Sequence, residues 1–114
     1  MKGRESLVGV EQEQEQPLVI MAYFYDDDCP ACDEFWSTWR LFKEMHKNEA
    51  TFIEVNASGK GRRLFKRLKV RYVPTVIVFI NNVEYDRLEG AGGLEDLESM
   101  LSSAKRDYIR KYAP

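Results

Sequence analysis

Cysteine is scarce in this chain of 114 residues, which holds two, at positions 29 and 32. A single pair cannot build the disulfide framework of a small secreted domain, and in a reducing compartment it suits catalysis or metal binding better than structure. Histidine occurs once, and no second cysteine pair exists to complete a tetrahedral zinc site, so no metal is expected unless dimerisation supplies ligands. Long hydrophobic runs are also missing. None approaches the roughly 18 residues of a spanning helix, and the opening Met1-Lys2-Gly3-Arg4-Glu5-Ser6 lacks the apolar stretch of a signal peptide. No membrane association is expected, and the expected compartment is cytoplasmic. Neither sign of charge prevails: 17 Lys and Arg stand against 19 Asp and Glu, a net charge of −2. The overall balance therefore gives no reason to expect nucleic acid as a partner. Repeats and linkers are absent, so residues 1–114 are expected to form a single domain and to act as a monomer.

What is present alternates between strand and helix signals. Residues 4–16 carry a small apolar cluster and the run Glu11-Gln12-Glu13-Gln14-Glu15-Gln16 before Pro17, which predicts a short solvated helix. Leu18 to Tyr25, "LVIMAYFY", is continuous, β-branched and aromatic, as a strand covered on both faces requires. A helix is predicted from Cys29, with Phe35, Trp39, Phe42 and Met45 or His46 as its buried stripe. "TFIEV" at 51–55 reads as a strand, 57–61 as a loop and 62–69 as a short helix around Leu64, Phe65 and Leu68. "PTVIVFI" at 74–80 is a further strand, joined through Asn81-Asn82 to a hairpin partner, "VEYDRLE". Gly90, Gly92 and Gly93 close that hairpin, and Leu94, Leu97, Leu101, Ala104 and Tyr108 mark a terminal helix. This order implies an α/β fold, a mixed sheet of about four strands with helices on both faces. An antiparallel edge strand on a mainly parallel sheet is the expected form.

The cysteines become chemically specific once Cys29 is placed between strand and helix. Pro30 then occupies the first helical position, where its missing N–H costs nothing, and Cys29 becomes the N-cap. A sulfur there faces unpaired first-turn amides, so its thiolate gains hydrogen bonds and its pKa should fall. Cys32, one turn further in, is close enough for a disulfide that opens and closes without refolding. The pair reads as a dithiol switch, with Cys29 attacking and Cys32 resolving.

Cys29-Pro30-Ala31-Cys32 after an apolar strand, with Val73-Pro74-Thr75 opening a later strand and Gly90-Ala91 before the last helix, resembles the thioredoxin superfamily over about residues 17–112. The resemblance implies a cis proline at Pro74 beside the active disulfide and a substrate groove formed by Val73, Pro74, Thr75, Gly90 and Ala91. It also implies two successive thiolate–disulfide exchanges with protein disulfides as substrates. No cofactor beyond the Cys29–Cys32 disulfide is implied, and an external thiol–disulfide reductase or small-thiol reductant must reset the couple. Pro30-Ala31 between the sulfurs leaves the redox poise open.

Three departures tune this expectation. Asp28, preceded by Asp26 and Asp27, replaces the usual tryptophan; either the three charges oppose thiolate formation at Cys29 and favour basic partners, or they are simply a solvated loop. Tyr23 stands where the family has a buried aspartate, and Glu54 is the candidate substitute if it points beneath the cysteines. Ser37 replaces the proline that kinks the family's long helix, which predicts a straighter one. Outside the site, residues 60–71 hold seven basic side chains, as a docking face for an acidic partner or as an exposed helix surface. Trp36 is placed near the surface and Trp39 in the core, while His46 lies too far along the helix to serve Cys29 as a base. The chain therefore reads as a thioredoxin-like protein-disulfide oxidoreductase, more a reductant than an oxidant. The alternative is a thioredoxin-fold partner-docking module with little redox turnover, kept open by Tyr23.

Overall fold

The computed structural model describes residues 18–112; the helix expected at 4–16 lies outside the described residues. Seven elements follow one another: β1 (Val19–Tyr25), α1 (Pro30–Met45), β2 (Thr51–Asn56), α2 (Gly61–Arg67), β3 (Thr75–Ile80), β4 (Val83–Glu89) and α3 (Leu94–Tyr112). The strands form one sheet in the order β2-β1-β3-β4.

The uncharged run of β1 is explained by its place in the middle of that sheet. Side chains alternate across a strand, so Met21 and Tyr23 enter the core under α1 and α3, while Ala22 and Phe24 enter the smaller core under α2. β3 divides in the same way, with Val76 and Val78 on the first face and Ile77 on the second. Helices thus cover both faces, as expected. Asn81 and Asn82 both take positive φ, 51° and 69°, the left-handed pair that a tight two-residue hairpin needs.

The sheet is not mainly parallel. β1 and β2 are parallel, but β1 pairs with β3 antiparallel, and so does β3 with β4. Helix length explains the difference. The 16 residues of α1 cover about 24 Å at 1.5 Å per residue, enough to return along a strand, whereas the seven of α2 cover only about 10 Å. The chain therefore leaves α2 on the side where β2 ended, and β3 starts there, with Thr75 opposite Phe24.

Phe35, Trp39 and Phe42 are buried as expected, and of the two residues offered for the next place His46 takes it, tilted against the Phe42 ring, while Met45 is 51% exposed. A step of three beyond Phe42 falls about 60° to one side of the stripe, and a step of four returns to it. α1 runs unbroken through Ser37.

Candidate active site

At the end of β1 the chain passes through Asp26–Asp28 and enters α1 with Cys29 as N-cap, in extended backbone at φ −147° and ψ 95°. Pro30 occupies the first turn, and the backbone N–H of Cys32 donates to Cys29 Sγ at 3.1 Å. A sulfur thus occupies the position in which Ser or Asp normally satisfies a helix's first-turn amides. Cys29 and Cys32 are joined as a disulfide with Cα atoms 5.2 Å apart. Cys29 keeps a small exposed surface while Cys32 is wholly buried. Pro30 and Ala31 between them are exposed. Of the two cysteines, Cys29 is thus the one with any surface at the protein's exterior.

Below the disulfide lies an aromatic floor. Tyr23 is fully buried, with Phe35, Trp36 and Trp39 around its ring at centroid distances of 5.0–5.3 Å. Its hydroxyl donates to the Cys32 carbonyl at 3.0 Å. Burial pushes the phenol pKa up, with the Asp33 and Tyr25 charges adding to it, so Tyr23 stays a neutral donor. Trp36 is half-buried over Tyr23 and Tyr25.

Glu54 does not lie beneath the cysteines. It faces α1, but its carboxylate accepts from Trp39 Nε1 at 2.9 Å and pairs with Lys43 Nζ at 3.0 Å, some two turns beyond Cys32. The alternation of β2 sets the face correctly and the register sets Glu54 level with Tyr23, but on the strand beside β1, where α1 presents Trp39 and Lys43 rather than Cys32.

Three segments meet at this end of the sheet because β1 and β4 finish there and β3 begins there. The Val73–Pro74 peptide is cis, and Pro74 is buried. The buried Thr75 donates its hydroxyl to the Tyr72 carbonyl at 2.7 Å, and the Gly90 N–H donates to the Pro74 carbonyl at 2.8 Å. Gly90 has φ +88°, a backbone that a side chain would strain, and Ala91 beyond it is exposed. Val73, Pro74, Thr75, Gly90 and Ala91 therefore share one rim, at the sheet end from which Cys29 emerges.

Of the three acids, Asp28 is exposed beside Cys29, and Asp27 accepts from Asn56 Nδ2 at 3.0 Å. That tie between the loops after β1 and β2 was not foreseen; an isolated Asn after a strand gives no signal of its partner. Among the described residues no group of three His, Cys, Asp or Glu could hold a metal ion. A cleft of about 640 Å³ between the β3–β4 hairpin and the end of α3 lies at the opposite end of the sheet and contains no cysteine.

A family model for thioredoxin matches residues 8–103. The chain belongs to the thioredoxin family. Among solved structures it is similar to the germline-specific thioredoxin Deadhead of Drosophila melanogaster, at 24% identity and TM-score 0.70, over 82% of this chain and 86% of that one. Thioredoxin f2 of Chlamydomonas reinhardtii follows at 20% identity and TM-score 0.69, over 82% and 85%. The same fold appears in thioredoxin f2 bound to ferredoxin:thioredoxin reductase, at 18% identity and TM-score 0.70, over 82% and 83%. Family membership and the Cys29–Cys32 pair make this thioredoxin-family protein a thiol–disulfide oxidoreductase.

Proposed function

We propose that the protein is a cytoplasmic, single-domain and monomeric reductant of protein disulfides, reset by an external reductase or a small thiol. The observation that carries this reading is the Cys29 sulfur, set as a helix N-cap with an amide directed at it. In the reduced protein that amide and the helix terminus favour the thiolate. The thiolate attacks one sulfur of a client disulfide, forming a mixed disulfide and releasing the other sulfur as thiolate. Cys32, losing its proton, then attacks Cys29 Sγ; the Cys29–Cys32 bond forms, the mixed bond breaks and the client leaves with both thiols. Two electrons have passed from the protein to the client. The rim of Val73, Pro74 and Thr75, closed by Gly90 and Ala91, is where the client backbone lies in this reading. A reductase as resetting partner is supported by the complex of thioredoxin f2 with its reductase.

The test is insulin reduction by dithiothreitol with catalytic amounts of protein. Wild type should accelerate it, Cys29→Ser should abolish the acceleration, and Cys32→Ser should accumulate mixed disulfides with client. A wild type no faster than Cys29→Ser would overturn the reading and leave the docking module, which Tyr23 in place of a carboxylate favours.

A further inference from the structure

The redox reading leaves unused the most lopsided charge in the molecule. Residues 55–83 contain no Asp or Glu, yet 60–71 hold seven Lys and Arg, in a chain whose acids otherwise outnumber its bases. All seven are exposed. Most described cations elsewhere have a carboxylate partner, Lys43 with Glu54, Lys47 with Glu44, Arg87 with Glu84, Lys105 with Glu49 and Arg110 with Asp107, the exceptions being Arg40 and Arg106. Among the described residues none of the seven has a carboxylate within ion-pair distance. An ordinary solvated helix face mixes its signs, and this one does not.

The patch is also held in place. Leu64, Phe65 and Leu68 seat α2 on Phe24, Val55 and Ile77. Arg87 Nη2 donates to the Leu68 carbonyl at 2.8 Å and so fixes the end of the helix, while its own charge is taken up by Glu84. Gly59, Lys60, Arg62, Arg63 and Lys66 line a depression of about 430 Å³. From there the chain runs through Arg71 and Tyr72, which is 59% exposed, directly into the Val73–Pro74 rim. Tyrosine and arginine are the side chains that anchor protein interfaces.

We propose that this basic face is a docking surface for an acidic segment of a client protein, which it holds while the client disulfide reaches Cys29; the proposal rests on the oxidoreductase reading. A protein segment fits better than a nucleic acid. A long phosphate backbone needs many cations in sequence, whereas this patch ends beside the acids after β1, of which Asp27 is tied to Asn56 at the end of β2 just before the loop into α2. A short run of carboxylates beside a disulfide needs only the few cations present. Steering of this kind acts on encounter and weakens with salt.

The experiment compares two disulfide-bridged peptides that differ in carrying flanking glutamates or glutamines, with a small uncharged disulfide as reference. At low salt, wild type should reduce the glutamate peptide with a kcat/KM about tenfold higher than the glutamine peptide. That preference should fade as salt rises and vanish in the combined Arg62→Glu, Arg63→Glu, Lys66→Glu variant. The corresponding triple glutamine variant should lose most of it, and both variants should match wild type on the small disulfide. Equal rates on the two peptides in wild type, or a preference that survives in both variants, would overturn the proposal. If wild type reduces none of the three, the oxidoreductase reading has failed, and docking is then read by fluorescence anisotropy of the glutamate peptide with its cysteines replaced by serine. Binding by wild type and not by the variants supports docking; equal binding overturns it. Tighter binding of a single-stranded oligonucleotide than of the glutamate peptide overturns it in favour of a phosphate backbone.

Discussion

Tyr23 concentrates what is particular to this site. Its phenol, kept neutral by burial, donates to the Cys32 carbonyl and offers no base for the Cys32 thiol. The proton of Cys32 must then pass to the departing client thiolate or to water rather than to a carboxylate on the floor of the site. Removing the hydroxyl leaves a buried carbonyl short of a partner, so Tyr23→Phe should lower stability by about 1 kcal/mol in denaturant unfolding, with the fold retained. The sequence marks Tyr23 as a departure from the family pattern but does not show where its hydroxyl goes. That depends on the helix N-terminus lying directly above the strand. For Glu54 the same kind of information was missing. Alternation along β2 decides which face a side chain takes, whereas the path of α1 across β1 and β2 decides which helical residues it meets, and that path is a tertiary quantity.

At the scale of elements, α2 is held by close approach as much as by apolar contact. A Cβ on Gly61 would stand 1.9 Å from the Asn56 carbonyl oxygen and 2.9 Å from Val55 Cγ1. The neighbouring atom is backbone and cannot move aside. Gly61→Ala should therefore cost about 2 kcal/mol or more by overpacking, read as a lowered Tm with secondary structure preserved in circular dichroism. Element identity and order were legible from periodicity and turn residues, and Asn81-Asn82 was a particularly clear signal because few residues accept positive φ twice in succession. Strand direction was less legible. It depends on how far a crossover carries the chain, which alternation of strands and helices does not reveal.

Across the whole molecule, the far end of α1 is tied to α3. His46 Nε2 lies 2.9 Å from Glu98, and its Nδ1 lies 3.1 Å from Glu49, a charge contact off the ring's N–H direction. Glu49 in turn pairs with Lys105. Burial opposes the charged imidazole, but the hydrogen bond to Glu98 and the carboxylates of Glu98 and Glu49 outweigh it and raise the His46 pKa above 6.5. The hydrogen bond from Lys105, with His46 beside it, holds the Glu49 carboxyl below 4.5. A raised folded pKa stabilises below the unfolded value and stops doing so as pH rises through the folded one. A lowered carboxyl stabilises above its unfolded value and loses that effect as pH falls through its folded one. The cluster should therefore contribute most between about pH 4.5 and 6.5, and the His46 part should fade as pH rises through its raised pKa. His46→Gln should cost about 1 kcal/mol in that window and less at pH 8, measured as Tm against pH, because partly exposed partners are screened. His46 itself was readable as a packing or surface residue; its two carboxylate neighbours, one of them on α3, were not.

The brevity of α2 limits this fold in a way that its side chains do not. Two more turns there would send the following strand in the other direction and deliver Pro74 to the rim farthest from the sulfurs. Substitution of the solvent-facing residues between Gly61 and Leu68 leaves this path of the chain unchanged, whatever it does to docking, but an insertion long enough to reverse β3 would abolish the groove while leaving both cysteines intact.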